Sequence, residues 1–189
     1  MIVLSNLDVA ACLPMRDAID VVETAMKGVS AGQANLPLRS LVNVGGDNRM
    51  GVMPGALLPG VAGQPACFGI KLLSLFPQNP DAGYSSHEGA YVLFEGEHGT
   101  AIAMMNAGLM TAIRTAAASA VATRALARPN ARVLTIIGAG EQAEHHLQAM
   151  MCVRDIGQVR VVGRRIRNRD AFIARARARY GDVEIEPAD

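Results

Sequence analysis

The sequence predicts an α/β protein in two parts, an N-terminal α+β region followed by the first half of a doubly wound parallel sheet. Three observations predict it. Short β-branched runs broken by Gly and Pro fill the stretch from Leu38 to Met105, an alanine-rich helical segment follows, and from Val133 apolar strands alternate with helical segments. With 189 residues, half of them apolar, the chain is long enough to bury a real core. A net charge of +1 provides no general attraction to nucleic acid or to a membrane surface, and neither is expected as a partner.

Taken in order, Ala18, Val21, Val22, Ala25, Met26 and Val29 recur at helical spacing, so Pro14 to Ala31 reads as an amphipathic helix that Gly32 ends. Ser40 to Val44, Met50 to Met53 and Phe68 to Leu75 read as strands, with Gly45-Gly46-Asp47-Asn48 as a turn. Ala90 to Phe94 and Ala101 to Met105 add two more, joined by the polar, glycine-bearing loop Glu95 to Gly99. A mixed or antiparallel sheet follows from these runs. Leu109 to Ala127 is helical and stops at Arg128-Pro129, because the residue before proline is pushed out of helical geometry. The domain boundary is placed near Gly108, giving domains 1–108 and 109–189. Beyond it come strand Val133 to Ile137, a helix from Glu141 to about Arg154, strand Val159 to Val162, a helix from about Arg169 to Tyr180 and the start of a third strand at Val183 to Ile185. This is one mononucleotide-binding half; a doubly wound sheet has two.

The run from Val133 to Ile137 is β-branched and apolar throughout, as expected of a buried central strand of a parallel sheet. Gly138, Gly140 and Ala143 then fit G-x-G-x-x-A: a tight turn, a bare backbone where a pyrophosphate approaches, and a small residue for close helix packing. The helix opening at Glu141 would aim free N–H groups at the phosphates. A carboxylate usually ends the second strand and binds the adenosine ribose, but here that strand runs into Gly163-Arg164-Arg165. Arginine suits a 2′-phosphate, so Arg164 favours NADP over NAD; ordinary surface charge is the other reading of Arg165 and Arg167.

Lys71 stands inside Phe68 to Phe76, where an unpaired ammonium is costly to bury. It either meets an anion, such as a substrate carboxylate, or snorkels to water from a strand edge. Arg114 opens the helix that enters the second region and would fork onto a carboxylate or phosphate, or simply lie on the helix surface. Cys12, Cys67 and Cys152 are odd in number, widely spaced and without metal-ligand spacing, which predicts reduced thiols, no metal and a cytoplasmic setting. His145 and His146 are adjacent and point apart on a helix, against a shared metal site. No long apolar run and no basic, apolar leader is present, so neither a membrane span nor a signal peptide is expected.

Together Pro37-Leu38-Arg39, Met53-Pro54, Gly69 to Leu72 with Phe76 to Asn79, Gly89 to Phe94, Leu109 to Ala117 and Ile137 to Ala143 resemble the ornithine cyclodeaminase and mu-crystallin family. The resemblance implies a homodimer whose N-terminal substrate-binding and dimerisation domain stands beside a Rossmann domain, with hydride transfer between a nicotinamide and an amino or imino acid. It implies that Arg39, Lys71 and Arg114 surround the substrate, the arginines on its carboxylate and Lys71 near carboxylate and imine, with Lys71 and Arg114 as the catalytic pair of this stretch. Ser86, Arg114, Thr115, Ala139, Gly140, Glu141 and Gln142 would fall along the dinucleotide. The family's catalytic aspartate would lie beyond residue 189, and Asn106 stands where members often carry aspartate. The expected function is an NADP- or NAD-dependent reductase of small cyclic imino acids of the Δ1-pyrroline-2-carboxylate type. The alternatives are ornithine cyclodeaminase acting with bound NAD, and a non-catalytic NADPH-binding protein of mu-crystallin type or an inactive fragment.

Overall fold

The computed structural model describes residues 1–189. Ten strands and five α-helices alternate along the chain: β1 (Ile2–Leu4), α1 (Asn6–Cys12), α2 (Met15–Ser30), β2 (Ala34–Asn35), β3 (Ser40–Gly45), β4 (Asn48–Leu57), β5 (Cys67–Leu75), β6 (His87–Glu95), β7 (Ala101–Asn106), α3 (Ala107–Leu126), β8 (Val133–Ile137), α4 (Glu141–Val153), β9 (Gln158–Val162), α5 (Ile166–Arg179) and β10 (Glu184–Ala188). They form two compact units. Met1–Pro14 and Glu23–Thr111 make the first; Met15–Val22 and Ala112–Asp189 make the second. No helix is long and apolar enough to cross a membrane.

The first unit is a mixed seven-stranded sheet in the order β1-β7-β6-β5-β4-β2, with β3 also on β4. Sequential neighbours pair antiparallel, as short loops require, and only β1 runs parallel, beside β7. Leu41 and Val42 of β3 turn out to be exposed. The β6–β7 loop is closed by the Glu95 carboxylate, which accepts the backbone N–H groups of Glu97, His98 and Thr100 at 2.7–3.0 Å. Those bonds, Thr100's first, hold its pKa below the ordinary glutamate value. Across β5 and β6 the paired Phe68 and Phe94 stack with ring centroids 5.0 Å apart, adding to the burial of each.

The helix expected over Pro14 to Ala31 is α2, with Pro14 as its N-cap and Gly32 at φ +73° just beyond its end. Before it lie β1, which has no sequence signal, and the short α1, whose signal is the capping box Ser5-x-x-Asp8, the two side chains capping reciprocally.

In the second unit β8, β9 and β10 make a parallel sheet in the order β10-β9-β8, with α4 and α5 as the crossovers. Its core is Leu147, Val159, Val161, Phe172 and Ile185, all nearly inaccessible, joined by Ala143, Ile173 and Ala176. Val159 and Val161 point to one face because strand side chains alternate, and the buried residues of α4 and α5 recur at helical spacing. Truncating Phe172 to alanine would cost about 3–5 kcal/mol of that core.

The burial expected of Val133 to Ile137 is met only in part by residues 1–189: β8 pairs with β9, Ile136 is buried, and Val133 and Ile137 are 53% and 84% exposed.

Candidate functional site

At the end of β8 the chain turns through Gly138, whose φ of +105° is strained for any residue with a Cβ. Gly138 donates its N–H to Val162 O at 2.8 Å, tying the turn to the end of β9. Gly140 is the N-cap of α4 in extended geometry, and no side chain caps the helix. A Cβ on Gly140 would meet no atom within 4 Å, so the space above it is open to an approaching group. Ala143, by contrast, is buried in the core, where a larger side chain would part α4 from the sheet. Uncapped N–H groups, a bare approach and a helix N-terminus together fit a pyrophosphate.

A cavity of about 460 Å³ runs down from this turn along β8, lined among others by Gly138, Gly140, Gln142, His146, Thr135 and Thr123. His146, which sequence reasoning treated only as a weak metal candidate, braces its wall. Its Nδ1 lies 2.7 Å from Gln142 O, which can only accept, so Nδ1 carries a proton there, and its Nε2 lies 3.1 Å from the Ser119 hydroxyl. The bond joins α3 to the second turn of α4, and residue spacing along the chain gives no hint of it. His145 faces elsewhere. Its Nδ1 is buried without a hydrogen-bond partner, and desolvation lowers its pKa against the raising effect of Glu141 and Glu144.

The turn after β9 carries Arg164 and Arg165, and Arg167 follows in the first turn of α5, all three exposed. Gly163 has no Cβ for a steric reason, since one would lie 2.9 Å from the Cβ of Arg169. The first acid after the strand is Asp170, and it is held by Arg169 at 3.0 Å. The turn therefore presents cationic side chains where a ribose-binding carboxylate would stand.

In the first unit, Lys71 is the one charged side chain in the buried class, at 6% exposure. Along its row of the sheet lie Met53 on β4, Tyr91 on β6 and Met105 on β7. Lys71 Nζ donates to Thr111 Oγ1 at 3.1 Å and lies 5.8 Å from the centre of the Tyr91 ring. It is a buried central-strand lysine, not a snorkelling edge one, because β4 and β6 flank β5 on both sides. Neither Tyr91 nor the Thr111 contact was visible in the sequence, since both depend on register and on where α3 begins.

Asn106 ends β7 and caps α3: its Oδ1 accepts from Gly108 N at 2.8 Å and Leu109 N at 3.4 Å. An aspartate there would accept the same two bonds, so the departure keeps the cap. Arg114 and Thr115 follow Thr111 on α3, Arg114 exposed and Thr115 half-buried. Arg39 is exposed in the segment before β3, next to Leu38 at 95% exposure. Ser86 lies in the loop before β6, its hydroxyl 2.8 Å from His87 Nδ1.

Parallel strands joined by right-length helical crossovers, with a glycine turn feeding an uncapped helix, define a Rossmann-like nucleotide-binding half. The chain belongs to the ornithine cyclodeaminase/mu-crystallin family, whose model matches residues 1–189. A Δ1-pyrroline-2-carboxylate reductase of Bacillus cereus is 31% identical over 181 residues, which is 96% of this chain and 54% of the relative. The solved structure of Thermococcus litoralis Δ1-pyrroline-2-carboxylate reductase in complex with NADH and L-proline has a TM-score of 0.91 and 32% identity, covering 100% of this chain and 57% of that one. An archaeal alanine dehydrogenase dimer with bound NAD has a TM-score of 0.88 and 28% identity over 99% of this chain and 55% of the other. The chain thus spans about half the length of the curated relatives it matches.

Proposed function

We propose that this chain carries the substrate-binding region and the first nucleotide-binding half of an NAD(P)-dependent reductase of small cyclic imino acids, of the Δ1-pyrroline-2-carboxylate type. The observation that carries the reading is Lys71, a cation buried within an apolar sheet, in a chain that also bears the Gly138–Ala143 turn. A buried ammonium is costly unless acceptors or an anion meet it; beside the Thr111 hydroxyl, a substrate carboxylate is an anion suited to that charge. The likeness to reductases at about one-third identity over nearly the whole chain supports the choice of substrate class.

In this reading residues 1–108 are the substrate and dimerisation domain and 109–189 the nucleotide domain. Arg39, Lys71 and Arg114 take the substrate carboxylate, with Lys71 also near the imine. Gly138, Ala139, Gly140, Glu141, Gln142 and Ala143 cradle the pyrophosphate, Ser86, Arg114 and Thr115 border the dinucleotide, and Arg164 takes the 2′-phosphate of NADP. The dinucleotide would supply the hydride. The residues of this chain would supply position, holding the carboxylate so that the imine carbon keeps one orientation, which is a large part of what an enzyme must provide for such a transfer. Homodimer formation is supported by the exposed apolar side chains of Leu38, Leu41, Val42 and Val44. Three free thiols support a reducing, cytoplasmic setting.

The test compares two reactions on the purified protein. NADPH oxidation on adding Δ1-pyrroline-2-carboxylate, with proline formed in equal amount, is the expected result. Release of ammonia and proline from ornithine without net cofactor turnover would instead select a cyclodeaminase, and dinucleotide binding with neither reaction a non-catalytic protein.

A further inference from the structure

We propose that Tyr91 and Thr111 are positioning residues for Lys71, setting the direction of its ammonium, so that the carboxylate subsite depends on a tyrosine and a threonine as well as on the cation. The inference rests on the reading of Lys71 as a carboxylate-binding group. Register supplies the first part. Lys71 and Tyr91 are directly opposed across β5 and β6, so their side chains leave the same face. The neighbours of Lys71 on that face along the two strands are Gly69, Leu73, Gly89 and Leu93, and across β4 it meets Met53. None of these carries an oxygen or nitrogen acceptor on its side chain, and the Met53 sulfur is only a weak one. The ring of Tyr91, 5.8 Å from Nζ, is the π face in this row, within the range at which ring and cation attract.

The start of α3 supplies the second part. Thr111 Oγ1 accepts one Nζ hydrogen at 3.1 Å, and its own placement is fixed one turn earlier, where Asn106 caps the helix. A threonine in a helix has only two common χ1 rotamers, and the bond to Lys71 Nζ selects the one that points Oγ1 at the ammonium. The Thr111 hydrogen bond and the Tyr91 ring face both bias where the tetrahedral ammonium points; a carboxylate arriving at Lys71 then meets an oriented donor, at less entropic cost.

The experiment uses the fact that Lys27 and Lys71 are the only lysines in the chain. In protein labelled with 15N-lysine, Lys71 should give a slowly exchanging Nζ signal, while the exposed Lys27 exchanges fast. Thr111→Val should speed that exchange by about tenfold and Thr111→Ser should restore it, a factor corresponding to one hydrogen bond. Tyr91→Leu should move the Lys71 signal as the ring current is lost, and Tyr91→Phe should leave it in place. An Nζ signal unmoved by both Thr111→Val and Tyr91→Leu would overturn the proposal whatever the substrate proves to be. In imino-acid reduction, Thr111→Val and Tyr91→Leu should each raise KM for the imino acid about fivefold to tenfold with KM for the dinucleotide unchanged, as loss of substrate orientation requires. Equal increases in both KM values would mark a merely structural role and overturn it as well. A wild-type protein that binds no imino acid would sink the reading of function while leaving the resonance test of Lys71 intact.

Discussion

Gly138 donates its backbone N–H to Val162 O at 2.8 Å, so the glycine turn after β8 and the arginine turn after β9 are fastened to each other. One residue separates that bond from Arg164. The turn proposed for the pyrophosphate and the backbone that carries the side chain proposed for the 2′-phosphate are thereby tied together. Replacing Arg164 by alanine should raise the Kd for NADPH by about tenfold and leave NADH nearly unchanged, the worth of a charge-assisted bond. Titration calorimetry with the two cofactors checks it. Equal loss for both would remove the case for NADP.

The same bond makes Gly138 sensitive. At φ +105° a Cβ is strained by about 1–3 kcal/mol, so Gly138→Ala should lower the melting temperature and weaken both dinucleotides alike. Gly140 has room for a Cβ in the protein itself, so Gly140→Ala should leave the melting temperature alone while still weakening the dinucleotide. Thermal melts read beside binding separate the two outcomes. Melting losses of similar size in both variants would contradict the assignment of Gly140 to a ligand's approach.

Removing the charge of Lys71 separates binding from folding. Lys71→Met keeps length and apolar bulk, so it should preserve or raise the melting temperature, since an ammonium no longer has to be desolvated. The kcat/KM for imino acid should fall by about a hundredfold or more if the cation orients the substrate. Full activity in the variant would show that Lys71 is a structural cation.

Arg154 closes the C-terminal end of α3. Its Nη2 donates to the carbonyls of Thr123, Arg124 and Ala127 at 2.7–3.1 Å, and its Nε to Arg128 O at 3.1 Å. Thr123 O and Arg128 O also accept the backbone N–H groups of Ala127 and Ala131, whereas Arg124 O and Ala127 O lie at the helix end, where the backbone ladder stops. Arg154→Ala should cost about 1–3 kcal/mol, seen as a fall of several degrees in Tm, and Arg154→Lys should recover only part because an ammonium lacks the planar fork. An unchanged melt would mean that water satisfies those carbonyls equally well.

Glu95 makes the β6–β7 loop acid-sensitive. Because its folded pKa is held down, chiefly by the N–H of Thr100, its contribution is complete above the ordinary carboxylate range and lost as pH falls through the lowered value. Amide hydrogen exchange at Glu97, His98 and Thr100 should quicken on acidification beyond the intrinsic pH effect. In Glu95→Gln that extra pH dependence should vanish.

Much of the second unit was legible because each element there has its own local signal. Val133 to Ile137 is bounded by proline upstream and glycine downstream, and the strand matches those limits. The first unit was less so. Met50 to Met53 reads as a strand ending at Pro54-Gly55, yet β4 continues to Leu57. Pro54 is tolerated because it lies between the stretches of β4 that pair with β3 and with β2, where that edge has no ladder for a missing N–H to interrupt. β1 was missed because three residues, Ile2 and Val3 among them exposed, carry no period; β7 alone recruits them as a strand. The same limit applies at the site. Lys71 announced itself by being a cation in an apolar run, whereas Tyr91, Thr111 and the Ser119–His146 bond are brought to their partners by register and by helix placement.

The central claim is hydride delivery to a cyclic imine, and the most direct measurement follows the hydride itself. With NADPH deuterated on the transferred face of C4 and Δ1-pyrroline-2-carboxylate as substrate, mass spectrometry should find proline carrying one deuterium at its α-carbon, formed one for one with oxidised cofactor. Proline without deuterium, or cofactor that is never consumed, would contradict the account.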